Sequence, residues 1–241
     1  MIVVEYPTTA GGEPARMSAA QVYEVAAAVR RQIGGVPKKP PAFRAIVGRT
    51  GSVSVNGRRL RLLWDIGGEV RDDRGRRVLG ACVHDPGGPP NTVMIRVNGE
   101  HLKGQPEVIR STAVHEFAHA IFDMPGVLGE SRRVFRTMAE PIASKGIAVL
   151  DWSEWRANEF MGGFLVPWDR LSRAVAAQAA VLGLRFRWRE RTGRVMSVIE
   201  AEPQDERVGW LIDHLAEAFG VTPPFMATRL RKGRFLGQAG V

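Results

Sequence analysis

The chain has a single cysteine, Cys82. One thiol excludes an intramolecular disulfide and fits a reducing compartment. Cys82 reads as a small buried strand residue rather than a nucleophile or metal ligand. Long hydrophobic runs are missing too, and no stretch approaches the length of a membrane span. The first residues, Met1 to Pro7, lack a basic region followed by an apolar one, so no secretory leader is expected. Together these absences point to a cytoplasmic protein with no membrane partner. Histidine is scarce as well, with five in the chain, so any clustering of them is informative.

What is present is ordinary for a globular protein. The 241 residues suffice for one large domain or two small ones, and 44% are apolar against 24% charged. The formal charge of +9 suits an anionic partner, most obviously nucleic acid. Yet the basic residues are overwhelmingly Arg, in company with abundant Ala, Gly and Pro, all products of GC-rich codons. Without a concentrated basic patch, the charge supports only weak nucleic-acid contact.

Taken in order, residues 1 to 17 read as an extended lead-in. Ser18 with Gln21 three residues later forms a capping box, and Val22, Val25, Ala26, Val29 and Ile33 trace one helical face over residues 19 to 33. Pro37 to Pro41 is a linker, which sets off an N-terminal segment of residues 1–42. The period then changes. Phe43 to Val47, Ser52 to Val55, Leu60 to Trp64, Val78 to His84 and Thr92 to Val97 are short strand candidates, with Asn56-Gly57 as a hairpin turn. They predict a small, mostly antiparallel sheet in a domain spanning 43–182. His84 and His101 fall at strand ends or loops. Each is expected to be structural, although either could steady an oxyanion from the edge of a site.

After these strands comes Thr112-Ala113-Val114-His115-Glu116-Phe117-Ala118-His119-Ala120-Ile121-Phe122. Apolar residues recur there at spacings of mostly three and four, predicting a helix from Pro106 to Asp123. Four residues apart on a helix, His115 and His119 project from one side and can share a metal ion. Glu116 is rotated toward water at such an ion rather than toward the ion itself, which is the logic of the zinc-peptidase motif. A catalytic zinc needs a third protein ligand. The metzincin pattern is excluded, because Phe122 and Pro125 stand where its Gly and His belong. The remaining source is a downstream carboxylate: Glu130, Glu140, Glu154 or Glu159. Between 127 and 151 lies an Arg- and Glu-rich connection expected to be partly helical. Residues 153 to 166 then read as a helix stopping at Pro167. Glu154 and Asn158 are four apart beside its apolar stripe, so Glu154 ranks first as ligand and Asn158 as a hydrogen-bonding partner of a ligand histidine. Glu159, about one hundred degrees beyond Asn158, ranks second.

The order His115-Glu116-Phe117-Ala118-His119, then Glu154-Trp155-Arg156-Ala157-Asn158-Glu159-Phe160, then Phe164-Leu165-Val166-Pro167, resembles the ImmA/IrrE family of zinc metallopeptidases. Leu215 to Thr222 with Arg229-Leu230 is similar to that family's closing helices. The resemblance covers roughly residues 43 to 170 and 208 to 236. It implies an α+β zincin-like domain, zinc held by His115, His119 and Glu154, Glu116 as general base, and a helix-turn-helix transcriptional repressor as protein substrate. The sequence departs from the family pattern at Gly162-Gly163, where a small-acidic pair is usual, and at Arg156, where a second acidic residue is common.

Beyond the motif, Leu171 to Leu182 continues as an Ala-rich helix. Arg185 to Glu190 alternates basic and aromatic residues before Val195 to Ile199, predicting a β-hairpin that opens a C-terminal segment of residues 183–241. That alternation could hold a nucleic-acid backbone or an acidic protein surface, or simply form an amphipathic edge hairpin. Residues 206 to 219 form an amphipathic helix ended by Gly220, and Thr222 caps a second helix, a helix-turn-helix outline. The expected function is therefore peptide-bond hydrolysis with a Zn2+ cofactor. The competing readings are a regulator that keeps the fold without catalysis, and a metalloenzyme acting on another bond.

Overall fold

The computed structural model describes residues 1–34, 41–72, 74–128, 133–138, 151–191, 193–202 and 204–236. It forms two compact units, one holding the described residues up to Phe164 and the other those from Leu165 onward. In chain order the first unit comprises β1 (Ile2–Val4), α1 (Ala19–Ile33), α2 (Phe43–Arg49), β2 (Ser52–Val55), β3 (Arg58–Asp65), β4 (Val78–His84), β5 (Thr92–Val97), α3 (Pro106–Phe122), β6 (Arg133–Met138) and the body of α4 (Trp152–Leu165). The second comprises α5 (Trp168–Val181), β7 (Phe186–Arg191), β8 (Arg194–Ile199), α6 (Glu206–Phe219) and α7 (Pro223–Gly233). The architecture is α+β. Among the described residues, no helix is long and apolar enough to cross a membrane.

The six-stranded sheet has the order β1-β2-β3-β5-β4-β6. Pairs β1/β2 and β3/β5 are parallel, while β2/β3, β4/β5 and β4/β6 are antiparallel. The sheet is thus mixed, not mostly antiparallel as the strand pattern suggested. Two long-range choices cause this. The lead-in at Ile2–Val4 adds a parallel strand to β2. And β5, rather than β4, lies beside β3, so the chain leaving β3 crosses to the far side of β5 and the β3/β5 pair runs the same way. At Asn56-Gly57 the expected hairpin turn is present, both residues taking positive φ (47° and 80°) as a two-residue turn of this hand requires.

One further expectation is corrected, and another segment contains a strand. Phe43 to Val47 is not a strand but helix α2. A run this short fits either period. Here Phe43, Ile46 and Val47 follow helical spacing, Ile46 is fully buried, and Thr50 closes the helix by donating Oγ1–H to Ile46 O at 2.7 Å. The connection after Pro125, expected to be partly helical, contains strand β6, which pairs with β4 from Val78 to His84.

Helix α1 begins with the full capping box of Ser18 and Gln21 and ends on Gly34 in the left-handed conformation. Helix α3 is buried all round from Thr112 to Phe122, beyond the single apolar face its sequence predicted. It packs on β5, β4 and β6, while Phe117 and Phe122 meet Phe160 of α4 with ring centroids 6.1 and 5.8 Å apart. Each such ring contributes roughly 1.5–3 kcal/mol by leaving water. Helix α4 comes close to α1 at Gly163, where a Cβ would lie 2.8 Å from the Tyr23 ring, so the glycine there is a packing requirement. The end of α3 is pinned from the lead-in: Tyr6 Oη donates to Ile121 O at 2.6 Å and its ring packs on Phe122.

In the second unit β7 and β8 form the antiparallel hairpin, fastened to α5 by Ser197, which donates its N–H to Ser172 Oγ at 3.1 Å and its hydroxyl to Ser172 O at 2.9 Å. Helix α6 starts on Asp205 and stops at Gly220, and α7 starts on Thr222. Tyr6→Phe removes one buried hydrogen bond from the end of α3, and urea unfolding should show a loss of about 1 kcal/mol. An unchanged midpoint would mean that the hydroxyl does not anchor the helix.

Candidate metal centre

Helix α3 places His115 and His119 one turn apart, both buried. Their Nε2 atoms face one another at 3.1 Å. From the first turn of α4, Glu154 directs Oε2 to His115 Nε2 and Oε1 to His119 Nε2, each at 3.3 Å. The three side chains offer donor atoms that all lie within 4.8 Å of one another. Ligands held tetrahedrally at roughly 2.0–2.1 Å from an ion stand about 3.3–3.4 Å apart, so the spacing is that of one face of such a shell. Two imidazole nitrogens and a carboxylate oxygen fit a divalent metal ion, and the arrangement is zincin-like. Glu154 is the exposed member, its side chain 38% accessible, so solvent reaches the group from the α4 side.

The orientation of His119 is fixed on its other edge. Nδ1 lies 2.8 Å from Asp123 Oδ2, one helical turn further along α3. Asp123 is held in turn by Ser153 Oγ at 2.7 Å and by Arg156 Nη2 at 2.6 Å, both from α4. The His119 ring also stacks on Phe135 of β6, centroids 4.7 Å apart and planes 13° from parallel. A histidine that donates Nδ1–H to a carboxylate presents Nε2 to a metal with raised basicity. Arg156, the residue that departs from the family pattern, thus serves as the counter-ion of Asp123.

Charge at this centre is strongly coupled. Burial alone would depress the His119 imidazolium, but hydrogen bonds to Asp123 and Glu154, with the Glu116 charge nearby, push it up to about 10. Burial likewise works against ionisation of Asp123 and Glu154, yet their histidine partners hold both carboxylates below the usual range. The Cys82 thiol is pushed well up by burial and by the Glu116 and Asp123 charges, which makes it inert, and it stands outside the metal-donor group.

Glu116 is fully buried beside His115. Its carboxylate lies against Gly80 of β4, where a Cβ would come within 2.8 Å of Glu116 Oε1 and 2.7 Å of Thr112 Cγ2. The glycine makes room for the acid. Asn158, expected to partner a ligand histidine, is exposed, and the His119 Nδ1 position is taken by Asp123 and Ser153. Glu159 points into the other side of α4, buried, and accepts from Tyr23 Oη. Glu130 and Glu140 lie outside the described residues. His84 is buried with Nδ1 at 3.2 Å from Thr92 O, and His101 is an exposed loop residue. Neither belongs to the donor group.

Asp123, Ser153, Phe135 and Gly80 were not singled out from sequence, and Arg156 was noted there only as a departure from the resembled pattern. The one available signal was an acidic residue four places after the second histidine, on the same helical face. No protein-family model, curated protein or solved structure matches the chain.

The sign of the His119 shift makes a pH prediction. Its folded pKa is raised from 6.5 to about 10, so the protonated ring stabilises the metal-free fold fully below pH 6.5 and ceases to do so as pH rises through about 10. A metal ion must expel that proton, so affinity should climb by about tenfold per pH unit across this window. Competition titration with a chromophoric chelator measures it. Asp123→Asn should weaken binding roughly 10–100-fold at pH 9. An affinity independent of pH, or an unaffected variant, would contradict the coupling.

Proposed function

We propose that the chain is a zinc-dependent endopeptidase of the ImmA/IrrE kind, acting on a regulatory protein in the cytoplasm. The observation that carries this reading is the His115–His119–Glu154 spacing with Glu116 buried beside it. Two imidazoles and one carboxylate would also suit non-haem iron. An acid next to the first histidine, close enough for its charge to act on His119 without joining the donor set, favours hydrolysis.

His115, His119 and Glu154 would hold the ion, with Asp123 keeping His119 in the metal-binding tautomer. A zinc ion there supplies Lewis acidity, acidifying water and polarising a carbonyl group. Glu116 accepts the proton that water loses as its oxygen adds to the scissile carbonyl carbon. The same carboxyl then delivers that proton to the departing amine nitrogen as the C–N bond breaks. Gly80 leaves the room that the carboxylate occupies, since a Cβ there would come within 2.8 Å of Glu116 Oε1.

The sheet supports a peptide as the substrate. Strand β6 is an edge strand among the described residues, and its Phe135 stacks directly on His119. An extended chain pairing along that edge would run past the metal donors, main-chain hydrogen bonds giving affinity without demanding a sequence. The choice of a helix-turn-helix repressor rests on the resemblance of the three motifs.

Glu116→Gln should keep its metal and lose cleavage of such a repressor by about 10²–10⁴-fold, read by gel and mass spectrometry on the zinc-loaded chain. Cleavage at the wild-type rate would overturn the role of Glu116.

A further inference from the structure

The hydrolytic reading leaves the outer face of the six-stranded sheet unused. Side chains alternate along a strand, so on β4 Gly80 meets Glu116 of α3 while Val83 points the other way. Register places Leu63 of β3, Met94 of β5 and Val83 of β4 in one row across that outer face. The row spans roughly 10 Å, two strand spacings. It floors a hollow of about 300 Å³, walled by Gly88 and Pro89 of the loop that joins β4 to β5. Met94 is 39% exposed there. Toward β6, by contrast, Val70 packs with Ala81, so the neighbouring apolar surface is covered.

A second hollow, of about 430 Å³, adjoins the first: Pro89 and Thr92 line one, Pro90 and Asn91 the other. Arg59 and Arg61 of β3 line this second hollow, and both are exposed. Two residues before Leu63, Arg61 shares its face of the sheet. Ser52 is the register partner of Arg61, and Arg59 donates Nε–H to Ser52 Oγ at 3.3 Å, so both arginines gather at one row. Neither has a carboxylate partner among the described residues. On the other side of the apolar row Arg96 is already neutralised by Asp65 at 3.0 Å. Asp85 borders the first hollow just beyond β4, which disfavours an anion at that end. The uncompensated positive charge therefore lies at the β3 end of the apolar floor.

From these placements we infer that the outer sheet face binds a small carboxylate with an aliphatic body, of the medium-chain fatty acid class. Its head sits on Arg61 and Arg59, and its chain lies over Leu63, Met94 and Val83. Guanidinium groups without an internal counter-ion take a carboxylate through paired, charge-assisted hydrogen bonds. The floor offers no ring for stacking, and the unbranched Met94 adapts to a flexible chain. A peptide is a poorer occupant, because β3, β5 and β4 are all interior strands and offer no free main-chain groups to another strand. No metal donor takes part, so the inference stands apart from peptidase activity.

The test is isothermal titration calorimetry of the full-length chain with octanoate, below its micelle-forming concentration. Saturable one-to-one binding is expected, with octanol and acetate each weaker by about tenfold or more, since each lacks one half of the recognition. Arg61→Gln should lower affinity about tenfold. Met94→Glu, which puts a carboxylate on the apolar floor, should abolish binding. Both side chains are exposed, so the thermal melt of each variant should be unchanged. In methyl NMR of the methionine-labelled chain, the resonance missing from Met94→Leu should be the one that octanoate shifts most. As a charge control, Arg231→Gln in the second unit should bind as wild type does. Equal loss in that control would trace binding to net charge alone and overturn the assignment. So would the lack of saturable binding, an unaffected Arg61→Gln, octanol bound as tightly as octanoate, or an unshifted Met94 methyl. Tighter capture of a peptide of alternating Glu and Leu would also overturn it, by marking a protein-docking face instead.

Discussion

Two imidazole nitrogens facing each other at 3.1 Å on a buried helix need a proton or a metal ion between them. Two bare lone pairs would repel, and two imidazolium rings would oppose charges in a medium where neither is screened. One proton, or one metal ion, resolves the conflict, and Glu154 completes the compensation by placing an oxygen against each nitrogen. Much of the first unit can be understood as the frame that keeps this contact short. Asp123, Ser153 and Arg156 hold the outer edge of His119, and Phe135 holds its face.

The frame works because α3 has no solvent-facing side along its second half. A helix buried all round has neighbours on every flank: the sheet at one side, and the Phe160 contacts from α4 at another. The ligands come from two elements with different jobs. Helix α3 supplies two donors. Helix α4 brings the third in its first turn, together with Ser153 and Arg156, so one stretch of chain supplies both a metal donor and the partners of Asp123. The close approaches at Gly80 and Gly163 serve the same end, one admitting the Glu116 carboxylate and the other letting α4 lie against Tyr23 of α1.

The helices other than α2, and most strands, were legible because their signals are local. Ser18 with Gln21, Gly34 and Asn56-Gly57 are caps and turns whose chemistry acts within four residues. The triad was legible for a related reason: each of its members sits on a helix with clear periodicity, and the three-motif order supplied the pairing between helices. What escaped depends on distant partners. Ile2–Val4 and Arg133–Met138 become strands only because β2 and β4 offer them edges. Phe43 to Val47 has an apolar pattern that either period accommodates. Asn158 was placed on the correct helix, but α4 turns Ser153 and Arg156 toward His119 and Asp123, leaving Asn158 in solvent. Asp123 was taken as the end of a helix when its side chain is the principal partner of a ligand. Gly80 carries no sequence signal, since its meaning lies in the Glu116 atoms that would collide with a methyl group.

The central claim, that these three side chains form a single metal centre, is tested most directly by X-ray absorption at the zinc edge on the full-length, zinc-loaded chain. The account predicts two imidazole nitrogens with the remaining scatterers oxygen, all at roughly 2.0–2.2 Å, and total coordination of four or five. A sulfur scatterer near 2.3 Å, which would bring in Cys82, or a shell lacking the imidazole signature, would contradict it.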